Sequence, residues 1–178
     1  MRMTSPFCVV FAGVPGSSKT IIAYYLSLNF RLPILSTDNI RFEIKEDLLV
    51  DNINEPAAHA QYNKRYEDRL LEALKQQSSF IHDGSVDRRW PELKQRLIDA
   101  RFDYFLVSLD LSKHFLSNLY LKTGRKSALD QLDAYYEQHD VFRQNFAQDV
   151  AVSIGDNDFL KRNQITSGVL AAYLDQKS

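Results

Sequence analysis

Short apolar runs alternate with longer amphipathic stretches along this chain, and that alternation predicts its elements. Phe7-Cys8-Val9-Val10-Phe11 is continuous, apolar and rich in β-branched and aromatic residues, as a strand buried on both faces reads. It stops at Gly13, and Thr20 to Phe30 then has helical character. Leu32-Pro33-Ile34-Leu35-Ser36 reads as a brief second strand beginning beside a proline, with Thr37 or Asp38 placed to cap the next helix.

From Ala58 onward, Tyr62, Tyr66, Leu70 and Leu74 recur four apart among charged residues, which puts one apolar stripe on a long helix. Phe80-Ile81-His82-Asp83 predicts a third strand, and Trp90-Pro91 opens a helix with proline in its first turn. Tyr104 to Asp110 predicts the fourth strand, after which Ser112 caps a helix running toward Gly124. Val150 to Ile154, closed by Gly155, predicts the fifth. Strands and helices in this order predict βαβ units and a mostly parallel sheet covered on both faces.

At 178 residues the chain has the length of one domain, so residues 1–178 are expected to fold as a unit. The hydrophobic fraction of 44% and charged fraction of 25% exclude a disordered or fibrous class. A net charge of −1 lacks the basic excess of a phosphate-tracking nucleic-acid binder, which favours a small ligand. The single cysteine, Cys8, forms no internal disulfide and fits a reducing compartment. No apolar run approaches the roughly 18 residues of a membrane span. Phe7 to Val14 lacks the length and cleavage pattern of a signal peptide, so a soluble, cytoplasmic protein is expected.

The sharpest motif is Gly13-Val14-Pro15-Gly16-Ser17-Ser18-Lys19-Thr20, which follows a strand and opens a helix. It matches the phosphate-loop pattern G-x-x-x-x-G-K-[S/T] except that Ser18 stands at the second motif glycine, while Gly16 keeps the middle of the loop flexible. Polyphosphate needs converging backbone N–H groups and a helix N-terminus aimed at its charge, and bulky side chains would obstruct that approach. Lys19 is expected to reach the outer phosphates and the Thr20 hydroxyl to ligate Mg2+. A left-handed backbone at Ser18 would cost about 1–2 kcal/mol, weakening binding without abolishing it.

Around that loop, Asp38 stands at the end of the second strand, where open α/β sheets put ligand-contacting residues. A carboxylate there can accept a hydroxyl proton during phosphoryl transfer, or simply cap a helix with Arg41 as a solvated neighbour. Asp83 closes the third strand before Gly84 and is a candidate to hold Mg2+ through water, or a turn former. Lys122, Arg125 and Lys126 surround Gly124; Arg125 is the first choice among them to close over a transferring phosphate. Arg88, Arg89, Lys94, Arg96 and Arg101 are interleaved with Asp87, Glu92 and Asp99, the mixture of a solvated helix face. The four histidines, His59, His82, His114 and His139, lack ligand spacing and read as packing or surface residues rather than a zinc site.

The strand-loop-helix over Phe7 to Phe30, followed by Ser36-Thr37-Asp38-Asn39-Ile40-Arg41, resembles the small P-loop kinases with AAA-type ATP-binding domains, a family that includes polynucleotide 5′-hydroxyl kinases, zeta toxins and chloramphenicol phosphotransferase. The resemblance implies a three-layer nucleotide-kinase-like α/β fold: a five-stranded parallel sheet in the order 2-3-1-4-5 with helices on both faces. It implies that Asp38 positions or activates an acceptor hydroxyl, that Arg41 helps bind substrate or phosphate, and that a lid spans about 118–127. A guanine-reading Asn-Lys-x-Asp is missing, since Asn63-Lys64-Arg65-Tyr66 lacks the aspartate, so ATP is expected over GTP. The resulting expectation is an ATP- and Mg2+-dependent phosphotransferase acting on a hydroxyl of a small molecule. The alternatives are a polynucleotide 5′-hydroxyl kinase and a low-turnover, ATP-binding regulatory or toxin-like module.

Overall fold

In the computed structural model, which describes residues 5–50 and 52–177, the first strand, β1 (Phe7–Gly13), runs through the middle of the molecule. All seven of its residues are buried, and they alternate between two apolar layers. Cys8, Val10 and Ala12 face one core with Ile40, Ile44, Leu70, Trp90 and Phe142, whereas Phe7, Val9 and Phe11 face another with Ile22, Leu26 and Leu170. A strand with two apolar faces needs a cover on each, so helices pack on both sides of the sheet.

The remaining elements, in order, are α1 (Lys19–Phe30), β2 (Ile34–Ser36), α2 (Thr37–Leu48), α3 (Pro56–Lys75), β3 (Phe80–Ser85), α4 (Trp90–Asp99), β4 (Asp103–Leu109), α5 (Lys113–Lys122), α6 (Leu132–Phe146), β5 (Val150–Ile154) and α7 (Arg162–Gln176). Three 3-10 turns cover Lys126–Gln131, Ala147–Asp149 and Asp156–Lys161. The five strands form one sheet in the order β2-β3-β1-β4-β5, with every pairing parallel, as the resemblance implies. Parallel strands place all their carboxyl ends on one edge, so the loops after Gly13, Ser85 and Leu109 and the start of α2 after Ser36 lie on the same side. No helix among the described residues is long and apolar enough to cross a membrane.

The stripe expected on α3 is present: Tyr66, Leu70 and Leu74 are buried and Tyr62 is partly buried against the same core. The second strand is shorter than expected, since Leu32 and Pro33 precede it. The helix after it is capped by neither Thr37 nor Asp38. Ser36 is the cap, its hydroxyl accepting the Asn39 N–H at 3.3 Å, which leaves Thr37 and Asp38 inside the first turn. Helices α6 and α7 have no counterpart in the sequence pattern. The inner face of α6 carries His139 between Leu132 and Phe142, and that of α7 carries Thr166 beside Leu170, so a polar residue interrupts each apolar stripe.

Candidate active site

The loop between β1 and α1 turns tightly because three of its residues hold positive φ: Gly13 at 133°, Gly16 at 81° and Ser18 at 76°. Glycine meets that demand without strain at the first two positions; serine meets it at the expense of its Cβ. The expected strain at Ser18 is therefore present. Gly16 is required for space as well, since a Cβ there would lie 2.7 Å from Tyr120 Cε1 and 3.2 Å from Arg125 Nη1. Tyr120 on α5 donates its hydroxyl to the Pro15 carbonyl, and Val14 packs with Tyr120, Leu116 and Phe159.

Lys19 is buried and folds back into the loop. Its Nζ donates to the Gly13 carbonyl at 2.5 Å, the Val14 carbonyl at 2.9 Å and Ser17 Oγ at 3.3 Å. Burial pushes its ammonium down to about 8, against the opposing pull of the Asp87, Asp83 and Asp38 carboxylates; the Arg125 cation adds to the lowering. One lysine thus lies within the electrostatic reach of three acids and of the arginine singled out beyond α5.

The Thr20 hydroxyl donates to Asp83 Oδ1 at 3.0 Å, bringing together the two residues expected at Mg2+. Asp83 is 3% exposed, and its Oδ2 makes no hydrogen bond within the described residues. Burial raises the Asp83 carboxyl; the Thr20 hydrogen bond opposes that rise and the Asp38 charge reinforces it. A buried carboxylate oxygen with no hydrogen bond among the described residues, beside the Thr20 hydroxyl, is a donor set that suits a hard divalent cation. Among the described residues no group of three or more His, Cys, Asp or Glu gathers as a metal cage, so a cation here would depend on waters and phosphate for its other ligands.

Asp38 and Arg41 lie on the first turn and a half of α2 and pair at 2.8 Å, with side chains 68% and 49% exposed. Arg41 also covers the Tyr62 ring at 5.4 Å. Arg125 follows α5, and its N–H donates to the Tyr120 carbonyl at 2.9 Å, bringing the guanidinium to Gly16. Lys122 and Lys126 are exposed. The first half of the segment expected as a lid, beginning at Asn118, is regular helix in α5.

Three residues belong in this description that their sequence context disguised. Asp87, read as part of a solvated face, has a side chain 8% exposed, and its Oδ1 accepts the Gly13 N–H at 2.9 Å. His139 is 1% exposed and stands between two acids, Nδ1 3.2 Å from Asp87 Oδ2 and Nε2 2.9 Å from Asp110 Oδ1. Burial works to lower the His139 imidazolium, but Asp110 and Asp87 outweigh it and hold it up to about 9. Asp110, just beyond β4, also accepts from Ser108 at 2.7 Å and from Ser153. Burial alone would raise its carboxyl, yet these hydrogen bonds keep it down to about 2. His82 is likewise internal, its Nε2 3.1 Å from the Tyr66 hydroxyl, and burial pushes it down to about 4.

The basic group beside Asp87 is mostly engaged in structure. Lys94 pairs with Asp149 at 2.7 Å, Arg96 with Glu67 at 2.6 Å, and Arg89 lies 4.7 Å over the Tyr66 ring. At the start of α7, Arg162 Nε and Asn163 Oδ1 are buried without hydrogen-bond partners among the described residues, while the Arg162 guanidinium stacks 4.2 Å from Phe159, which clusters with Val14.

Sheet order, phosphate loop and strand-end acids together define the fold of the small P-loop kinases. No protein-family model and no curated protein matches the chain by sequence. Among solved structures it is similar to a candidate kinase from Chloroflexus aurantiacus J-10-fl, with a TM-score of 0.69 and 15% identity, covering 99% of this chain and 100% of that one. It is similar to a gluconokinase from Sinorhizobium meliloti 1021, with a TM-score of 0.65 and 15% identity over 99% of this chain and 97% of the other. A third is a chain of the PezAT toxin–antitoxin system of Streptococcus pneumoniae, at TM-score 0.63 and 15% identity, covering 86% and 69%. At such identities the likeness establishes the fold.

Proposed function

We propose that the protein is a phosphotransferase that moves the γ-phosphate of ATP to a hydroxyl of a small molecule, with residues 1–178 acting as one domain. The observation that carries this reading is the Thr20–Asp83 hydrogen bond at the mouth of a loop whose lysine is reached electrostatically by Asp38. In the reaction the backbone N–H groups of Gly13 to Thr20 hold the polyphosphate, and Lys19 exchanges its loop carbonyls for phosphate oxygens. Thr20 and Asp83 would hold Mg2+, which neutralises charge on the phosphates when bound. Arg125, already against Gly16, would stabilise the charge of the transferring phosphoryl group, and Asp38 orients the acceptor hydroxyl and takes its proton.

A small acceptor is supported by the near-neutral chain and by the Asp38, Arg41 and Tyr62 cluster, which lies on α2 and α3 rather than along a continuous basic track. Arg162, whose Nε has no hydrogen-bond partner among the described residues, stacks on Phe159, which packs in one cluster with Val14 of the loop; this supports a place there for the nucleotide base. The test is a γ-labelled ATP transfer screen over sugars, nucleosides, aminoglycosides and a 5′-hydroxyl oligonucleotide. Label should move to a small acceptor, and Asp38→Asn should slow single-turnover transfer while leaving ATP affinity nearly unchanged. Label moving only to the oligonucleotide, with binding that weakens steeply in salt, would assign the strand end instead. Binding of ATP with no transfer to anything would assign the low-turnover module.

A further inference from the structure

The first amide of the phosphate loop is held by a side chain from another strand. Asp87, two residues beyond β3, accepts the Gly13 N–H at 2.9 Å, and its second oxygen faces His139 of α6 at 3.2 Å. Gly13 is closely packed here, since a Cβ added to it would lie 3.1 Å from Leu109 and 3.2 Å from Ser17 Oγ. An isolated carboxylate at this place would be awkward in two ways. It is desolvated, and it stands next to the loop that must receive the charge of a triphosphate.

The chain resolves both problems with one imidazole. His139 hydrogen-bonds Asp110 through Nε2, while its Nδ1 lies 3.2 Å from Asp87 Oδ2 as an ion-pair contact without hydrogen-bond geometry, so in its protonated form it places a cation between the two acids. Asp110 is anchored in turn by Ser108 and Ser153, with Arg143 Nε 3.7 Å away. Resting on the phosphate-loop reading above, we infer that Asp87 and His139 are positioning residues for nucleotide: Asp87 sets the Gly13 amide, and the His139 cation cancels the Asp87 charge that would otherwise repel polyphosphate.

The charged groups around His139 are Asp87 beyond β3, Asp110 beyond β4, and Asp140 and Arg143 on α6; Lys19 interacts electrostatically with Asp87. Its stacked neighbour Phe142 is neutral, at 6.0 Å between ring centroids. Asp110 also lines a cavity of about 570 Å³ between α6 and β5, together with Asp140, Arg143 and Ser153. The acid–imidazole–acid chain therefore has one end at the Gly13 amide and the other at the cavity between α6 and β5.

The experiment measures MgATP affinity by calorimetry on the full chain between pH 7 and pH 10. His139→Gln is expected to bind roughly tenfold more weakly at pH 7, the effect of one pKa unit's worth of interaction. Adding Asp87→Asn to that variant is expected to restore most of the affinity, because the amide oxygen still accepts the Gly13 N–H but carries no charge. Wild type is expected to weaken toward pH 10 more than His139→Gln does; titration of Lys19 is common to both proteins and drops out of the comparison. Unchanged affinity in His139→Gln, or losses in the two single variants that merely add in the double, overturns the inference. Should His139→Gln fail to fold, Asp87→Asn alone is compared with wild type, and a high-pH decline as steep as the wild type's overturns it. Lys19→Ala separates the two claims: affinity equal to wild type in that variant removes the phosphate-loop reading itself.

Discussion

The Thr20 hydroxyl donates to Asp83 Oδ1 at 3.0 Å, while the other Asp83 oxygen is buried with no hydrogen bond in the described residues. The two residues are 63 apart in sequence and meet because β1 and β3 are adjacent and parallel. A half-satisfied buried carboxylate has a lower free energy with a cation beside it. Thr20→Val and Asp83→Asn are each expected to weaken MgATP binding by roughly 10-fold or more. Binding of ATP in EDTA should change far less. Equal loss with and without Mg2+ would show that the pair shapes the loop rather than a cation site.

Ser18 is left-handed at φ 76° and makes no side-chain capping hydrogen bond to α1. Its side chain therefore brings strain with no capping contribution. Ser18→Gly is expected to stabilise the protein by about 1 kcal/mol and to leave ATP affinity equal or improved. Urea unfolding measures the first and calorimetry the second. A loss of stability would mean that the hydroxyl has a role these contacts do not contain.

Gly16 faces the opposite situation, with φ 81° and only 2.7 Å between a prospective Cβ and Tyr120 Cε1. Gly16→Ala is expected to lower stability by about 1–2 kcal/mol from the backbone alone, and to displace Tyr120 and Arg125 from the loop. Transfer activity should fall further than stability does. Tyr120→Ala is itself costly because the side chain is buried, but in that background Gly16→Ala should cost less than in wild type, since the clash is gone and only the backbone strain remains.

Two buried histidines bound the pH range of stability from opposite sides. His139 is raised to about 9 in the fold, so its contribution is complete below the ordinary imidazole value near 6.5 and is lost as pH rises through 9. His82 is depressed to about 4, so its contribution is complete above about 6.5 and is lost as pH falls through 4. Stability measured in urea should peak near neutrality and decline by on the order of a few kcal/mol in both directions. Lys19, held near 8 by burial, acts in the opposite sense at alkaline pH, so the His139 share is the difference between wild type and His139→Gln. Identical alkaline profiles for those two proteins would contradict the ion pairing of His139.

The legible parts of this protein are those whose cause is local. The phosphate loop occupies eight consecutive residues, and the strands at Phe7, Phe80, Tyr104 and Val150 each show their burial in their own composition. Helix α3 was readable because its apolar residues repeat at helical spacing, and the Ser112 cap because its partner amide, Phe115, is three residues away. The nearest local miss was the cap of α2: Ser36, Thr37 and Asp38 are all good cap formers, and only the backbone at the end of β2 selects the first.

What the sequence by itself determined is a βαβ chain with a phosphate loop after its first strand, since periodicity and short motifs are written in neighbouring residues. Only the tertiary structure decided that Asp87, His139 and Asp110 form one buried charge network, that Arg125 lies against Gly16, and that Asp83 accepts the Thr20 hydroxyl. Asp87 reaches Gly13 across 74 residues and His139 reaches Asp110 across 29. A charged side chain among other charged side chains looks solvated until the fold removes the water around it, and that removal depends on which distant strands become neighbours.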